Sequence, residues 1–307
     1  MASCLVSGGA GFIGSHLAEK LCARGHKVRV FDDMSTGSPG NLGNLSGKVE
    51  IVEGSVCEPG EVLDAMAGAE YVFHEAAVSS VGESIKDPAR TAEVNVEGTR
   101  NVLEAALGCR VRKAVLASSA AVYGNAEPPL KESMDTAPLS PYGKSKEAME
   151  ALGREYHSRG LPTVSLRYFN VYGPRQSAGS ESGVIARFVD SMCRGDPPVI
   201  YGDGSQTRDF IYVADVAEAN VLAMESRAAD GRVLNVGSGR PTSINGLAET
   251  LAKLLGEEVG PLRKGTRDGD LVHSYADTSE AEKTLGFKAR WSLEDGLLRT
   301  IRWRESL

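Results

Sequence analysis

The stretch CLVSGGAGFIG, residues 4–14, passes from a short apolar run into three spaced glycines. Helical spacing follows at once, with Ile13, Leu17 and Leu21 on one face. Gly8 permits a tight turn, Gly11 lets a pyrophosphate approach the backbone, and Gly14 lets the helix pack closely on the strand. A helix opening at Phe12 and Ile13 would aim its free N–H groups and positive dipole end at phosphate oxygens. Glycine spacing alone is weak evidence; the strand–turn–helix context makes it a dinucleotide fingerprint. Asp32 and Asp33 close the next apolar run, KVRVF (27–31), where an acidic residue accepts hydrogen bonds from an adenosine ribose. A carboxylate there repels a 2′-phosphate, and no Arg or Lys follows before Lys48. The cofactor expected is therefore NAD rather than NADP.

Outward from this motif, strand and helix alternate. Short apolar runs at 49–52, 70–73, 113–118 and 163–168 are separated by helical stretches at 59–67, 89–107 and 140–158. Such alternation implies right-handed crossovers and a parallel sheet. The expected fold class is α/β, a doubly wound (Rossmann) sheet over 1–170 with a smaller C-terminal α/β substrate lobe over 171–307. Segments of the second half are free to return to the first domain. Beyond 170 we expect helices at 183–194, 214–227, 244–255, 279–285 and 293–304, and strands at 198–202, 209–213 and 233–237. The segments 174–182 and 261–278, rich in Gly, Pro, Ser and charge, read as loops.

The 307 residues are 41% hydrophobic and 24% charged, which suits a globular protein with a sizeable core. A net charge of −7 argues against a broad footprint for nucleic acid or an anionic membrane. Five scattered cysteines without a C-x-x-C suggest reduced thiols and a cytoplasmic protein. The five histidines form no ligand spacing, so no metal site is expected. No apolar run approaches membrane-spanning length and no basic–apolar leader opens the chain, so neither a membrane span nor a signal peptide is expected.

Tyr142 and Lys146 stand four apart behind Pro141 and so share one helix face. A nearby ammonium stabilises a phenolate and would lower the tyrosine's pKa. Ser118 and Ser119, in SSAAVYG (118–124), fall where a parallel strand ends, the ligand edge of such a sheet. A hydroxyl there can share the proton that Tyr142 moves.

GGAGFIG, FDD, SSAAVYG, Tyr142-x-x-x-Lys146, RYFNVYGPR (167–175) and GDGSQTRDFIYVADV (202–216) occur in this order along essentially the whole chain. Together they resemble the extended short-chain dehydrogenase/reductase superfamily and, within it, the UDP-hexose 4-epimerases. The resemblance implies that Tyr142 is the acid/base at the sugar C4 hydroxyl, that Lys146 holds the nicotinamide ribose and that Ser119 is the catalytic hydroxyl. It further implies that Asn170 contacts the UDP-sugar, that Arg208 and Arg267 grip the diphosphate, and that Asp270 meets the uridine ribose. Planar guanidinium forks suit such oxygens. Dimerisation through the helices at 89–107 and 140–158 is also implied.

Ala120 and Ala121 fill the place where related dehydratases and decarboxylases carry an acidic residue. Alanine transfers no proton, so a simple oxidation and re-reduction at C4 is expected. Ser55, Glu75 and Asp268 depart from the family pattern, Glu75 within the usual H-x-A-A turn. Ser274 falls where the family gates the sugar's 2-substituent; a small residue leaves room for an N-acetyl group. The expected substrates are UDP-glucose/UDP-galactose and their N-acetyl counterparts. The alternatives are a uronate epimerase or reductase on a nucleotide sugar, and a non-catalytic dinucleotide sensor.

Overall fold

The computed structural model describes residues 1–177, 183–256, 260–266 and 271–307. The first half supplies strands β1 (Ser3–Ser7), β2 (Lys27–Asp32), β3 (Val49–Glu53), β4 (Tyr71–His74), β5 (Lys113–Ser119) and β6 (Thr163–Tyr168). Its helices are α1 (Phe12–Ala23), α2 (Pro59–Met66), α3 (Val81–Lys86), α4 (Pro88–Ala92), α5 (Gly98–Gly108) and α6 (Pro141–Ser158). The second half adds β7 (Asn170–Tyr172), β8 (Val199–Tyr201), β9 (Thr207–Tyr212), β10 (Val233–Val236), β11 (Pro241–Ser243), β12 (Leu262–Lys264) and β13 (His273–Ser274). It also contains α7 (Val184–Met192), α8 (Val213–Glu225), α9 (Ile244–Leu255), α10 (Ser279–Leu285) and α11 (Leu293–Glu305).

Seven parallel strands form the main sheet in the order β10-β6-β5-β4-β1-β2-β3. Helices cover both faces, so central strands lack polar alternation: every residue of β6 is buried, and four of five in β1. Leu17, Val30, Phe73, Leu166 and Val216 join one face to α1 and α8. Leu5, Phe31, Leu103, Leu116 and Leu152 join the other to α2, α5 and α6. Strand order reverses beside β1, which pairs with β2 on one side and β4 on the other. The crevice beyond the carboxyl ends of these strands is the expected ligand position.

β10 comes from the second half of the chain yet completes the main sheet against β6. In the smaller lobe β9 is central: its first half pairs with β11 and β13, its second half with β7. Tyr172, Phe188, Leu247, Leu251, Leu297 and Ile301 form that lobe's core.

Two expectations need correction. The helix over 89–107 is not one regular α-helix: α4 and α5 are joined by a π-helical turn, Glu93–Glu97. The segment 261–278 is not all loop, since β12 pairs with β8 and β13 with β9. Short strands that pair in parallel with distant partners leave little periodic signal in sequence. Among the described residues, no helix is long and apolar enough to cross a membrane.

Candidate active site

The loop after β1 takes its shape from its glycines. Gly8 has φ +70°, and a Cβ there would fall 2.5 Å from the Ala76 nitrogen. A Cβ on Gly14 would fall 2.2 Å from the Gly8 carbonyl oxygen. α1 can therefore press its first turn onto the loop. Gly11 caps that turn without a side-chain hydrogen bond, and no acidic residue enters it. Its N–H groups are thus offered outward, as an anion needs. Phe12 and Ile13 lean on the smaller lobe's core.

A cavity of about 370 Å³ opens here, lined by Gly8, Gly11, Gly14, Asp32, Asp33 and Glu75 among others. Asp32 is buried, and its carboxylate accepts from the backbone N–H of Ala10 and of Met34, each at 2.9 Å. Burial pushes its pKa up while these hydrogen bonds pull it back. A carboxylate offers about four lone-pair sites, so capacity remains for a ribose diol. Asp33 is exposed and closes a local turn on Ser35. Arg90, from α4, lines the same cavity, a cation that the local sequence around Asp33 does not reveal; Glu93 pairs with it at 2.8 Å. The uncapped helix start, the glycine cradle and Asp32 together fit a dinucleotide. A wider cleft of about 490 Å³, lined by Ser3, Lys27 and Val49, lies at the amino-terminal ends of β1–β3 instead. That is the edge opposite the one where such sheets bind ligands.

Ser140 caps α6 by accepting from the Gly143 N–H at 3.1 Å, and Pro141 opens its first turn. This puts Tyr142 at the helix entrance with Lys146 one turn on. The Ser119 side chain faces the Tyr142 phenol and pulls its pKa down. Lys146 is buried; its Nζ donates to the Ala117 carbonyl at 2.8 Å and lies 5.8 Å from the Tyr142 ring centroid. Burial, opposed in part by the Glu75 charge, lowers the Lys146 pKa to about 8. The expected acidification of Tyr142 is not found. Burial raises its pKa, the Ser119 hydrogen bond opposes this, and the Glu75 charge raises it further.

Ser118 is also corrected. Neighbouring strand residues face opposite sides, and Ser118 is buried with its Oγ donating to Glu150 Oε1 at 2.6 Å. Glu150 in turn holds Arg167 through two 2.8 Å bonds. Ser118 therefore belongs to a buried structural ion pair, while Ser119 faces Tyr142.

Asn95, absent from the sequence reading, sits in the π-helical turn and is buried. Its amide bridges Val78 N–H (2.7 Å), Val78 carbonyl (3.0 Å) and Ser145 Oγ (2.9 Å). It ties the wall of the cavity to α6 between Tyr142 and Lys146. Its signal was an amide inside an otherwise helical pattern; π-turns of this kind concentrate at functional sites.

In the smaller lobe Arg208 and Ser274 are direct partners in the β9–β13 ladder. Ser274 is buried, and Asn170 opens β7 opposite Phe210. Leu130 N–H bonds the Tyr275 carbonyl at 2.9 Å, and Val122, Leu130, Phe169 and Ala276 cluster together. The Ser274 segment is thereby fastened to the ends of β5 and β6. Asp209, also unforeseen, is fully buried and accepts from Ser238 N–H (2.7 Å), Ser238 Oγ (2.6 Å), Gly239 N–H (2.9 Å) and Ala276 N–H (3.1 Å). Arg267, Asp268 and Asp270 lie outside the described residues. Among the described residues, no cluster of His, Cys, Asp and Glu could hold a metal ion.

Fold and site together define a dinucleotide-dependent α/β enzyme. The chain belongs to the NAD dependent epimerase/dehydratase family, whose model matches residues 4–237. It is 38% identical to a putative UDP-glucose 4-epimerase of Methanocaldococcus jannaschii, covering 98% of each chain. It is 36% identical to a UDP-N-acetyl-alpha-D-glucosaminuronate decarboxylase of Bacillus cytotoxicus, over 98% of this chain and 97% of the other. Among solved structures, UDP-glucose 4-epimerase of Thermotoga maritima with UDP-glucose superposes with a TM-score of 0.95, at 38% identity and 99% coverage of both chains.

Proposed function

We propose that this protein interconverts UDP-hexoses by inverting the sugar C4 centre. The observation that carries the reading is the Tyr142–Ser119 pair beside buried Lys146, on the edge of the sheet where the dinucleotide cavity opens. Tyr142 takes the C4 hydroxyl proton and later returns it, with Ser119 sharing the hydrogen bond. Lys146 holds the nicotinamide ribose. Gly8, Gly11, Phe12, Ile13, Gly14 and Asp32 would hold NAD, which would supply the hydride acceptor for C4. Ala120 and Ala121, in the turn that Ser119 caps, offer no proton donor. That disfavours the dehydration and decarboxylation performed by other family members. Asn170 and Arg208 hold the UDP portion, with Arg267 and Asp270 assigned to it by resemblance. Anchoring UDP lets the freed keto sugar turn over without leaving.

Ser274 supports acceptance of the N-acetyl pair, because its small side chain stands beside Arg208 rather than in an irregular loop. A homodimer through α5 and α6, and a cytoplasmic location, complete the reading; the five cysteines are free thiols. The test is to incubate the protein with UDP-glucose, its N-acetyl counterpart and UDP-glucuronate, without added reduced cofactor, and to read products by NMR. Tyr142→Phe should lower C4 inversion about a thousandfold while leaving the chain folded. Inversion at the native rate in that variant would end the proposal.

A further inference from the structure

Glu75 takes no part in the reaction proposed above, and the structure gives it a defined setting. It follows β4 directly, its N–H bonds the Ser7 carbonyl at 3.0 Å, and its side chain lines the dinucleotide cavity. Its Oε1 lies 2.8 Å from the Tyr168 hydroxyl. That hydroxyl oxygen accepts from Asn220 Nδ2 at 2.7 Å. The phenol's proton is therefore directed at Glu75, and the carboxyl oxygen must accept. The Glu75 charge also reaches Lys146 and Tyr142 of α6. From the remaining neighbours, Tyr168 of β6 faces it, whereas the adjacent His74 is turned away onto Ser7 and Thr99. Burial lifts the Glu75 carboxyl to about 7, and the Tyr168 hydrogen bond and the Lys146 charge oppose that rise.

We propose that Glu75 makes the cavity select the oxidised, positively charged nicotinamide over the reduced, neutral one. This rests on the reading of the cavity as the dinucleotide site. The two cofactor forms differ by one unit of charge on the ring, and only the cation gains from a carboxylate held near it in a medium of low dielectric. Binding the cation should draw the half-titrated Glu75 into its ionised form and expel a proton. For an enzyme that must begin each cycle with an oxidised ring, such a bias keeps the resting site ready.

Calorimetric titration of the full chain, freed of cofactor, with NAD⁺ and separately with NADH tests this without any sugar. At neutral pH, Glu75→Gln, which keeps an oxygen for Tyr168, should reduce the preference for NAD⁺ over NADH about tenfold. In buffers of differing ionisation enthalpy, NAD⁺ binding to the native chain should release protons that NADH binding does not release. The variant should lose that difference. Tyr168→Phe keeps the carboxyl but deletes a hydrogen bond that favours its ionised form, so at about pH 8.5, where the carboxyl is again ionised, this variant should retain the native preference. A Glu75→Gln preference within about twofold of native overturns the proposal, as does equal proton release from both proteins. So does a Tyr168→Phe loss at about pH 8.5 as large as that of Glu75→Gln, which would make the role one of packing. If neither cofactor form binds, the cofactor reading itself falls, a result distinct from two forms bound without discrimination.

Discussion

The loop after β1 and the β9–β13 ladder are held in place by different means. The loop is shaped by its own backbone: a positive φ at Gly8 and a contact at Gly14 too close for any side chain. The ladder is steadied by one of its own side chains, Asp209 of β9, whose carboxylate gathers the distant Ser238, Gly239 and Ala276 beside Arg208 and Ser274. A backbone-built site tolerates almost no substitution at its own positions and yields a local motif. A side-chain-built site depends on a residue whose partners lie far along the chain, so its tolerance has to be found by mutation.

Breaking the first region should give the largest effect. Gly14→Ala forces a methyl group into the Gly8 carbonyl, and the backbone must move. We expect about 3 kcal/mol of lost stability, read by denaturant unfolding, together with loss of cofactor retention. A variant of native stability would mean that the loop is softer than its contacts imply. Within the second region, Ser274→Tyr puts a large side chain beside Arg208. Turnover of the N-acetyl pair should fall about a hundredfold and that of UDP-glucose should change little; equal losses for both would place Ser274 away from the 2-substituent. Asp209→Asn keeps the shape but replaces an acceptor oxygen with a donor facing backbone N–H groups. KM for the UDP-sugar should rise about tenfold with kcat nearly unchanged. A fall in kcat at constant KM would show that Asp209 acts on the reacting end instead.

The smallest effect concerns pH and sets two adjacent residues against each other. His74 is buried and its pKa is lowered to about 3, so the unfolded chain binds a proton first as pH falls below 6.5, and stability is lost. Glu75 has the opposite sign. Its carboxyl is raised from 4.5 to about 7, so the folded chain binds the proton first, and stability is gained as pH falls through that window. Glu75→Gln removes the gain. Its melting temperature, relative to native, should drop by a few degrees as pH goes from 7 to 4.5. A constant difference across that range would mean that Glu75 does not titrate there in the folded chain.

Legibility in the sequence follows the same division. GGAGFIG, the Asp32 position and the Tyr142–Lys146 spacing are local, and the structure places them at one edge of the sheet. Ser118 and Ser119 were both legible as a strand end, but which of them faces Tyr142 depends on strand phase, which two adjacent serines cannot report. Asn95 and Asp209 act by filling distant backbone valences, and in the sequence each is one polar residue among many. Glu75 was visible only as a departure; its meaning came from Tyr168 and Asn220, far along the chain. The pairing of β10 with β6 was left open because a four-residue apolar strand fits either lobe.

That pairing also orders events during synthesis. Val233 is made only after β7–β9, α7 and α8 have followed Tyr168. Until then β6, destined to be buried on both faces, has a bare edge able to recruit another chain. A nascent polypeptide stalled short of β10 should therefore be sticky and a substrate for chaperones. A gene cut near residue 170 should yield aggregate rather than a working half.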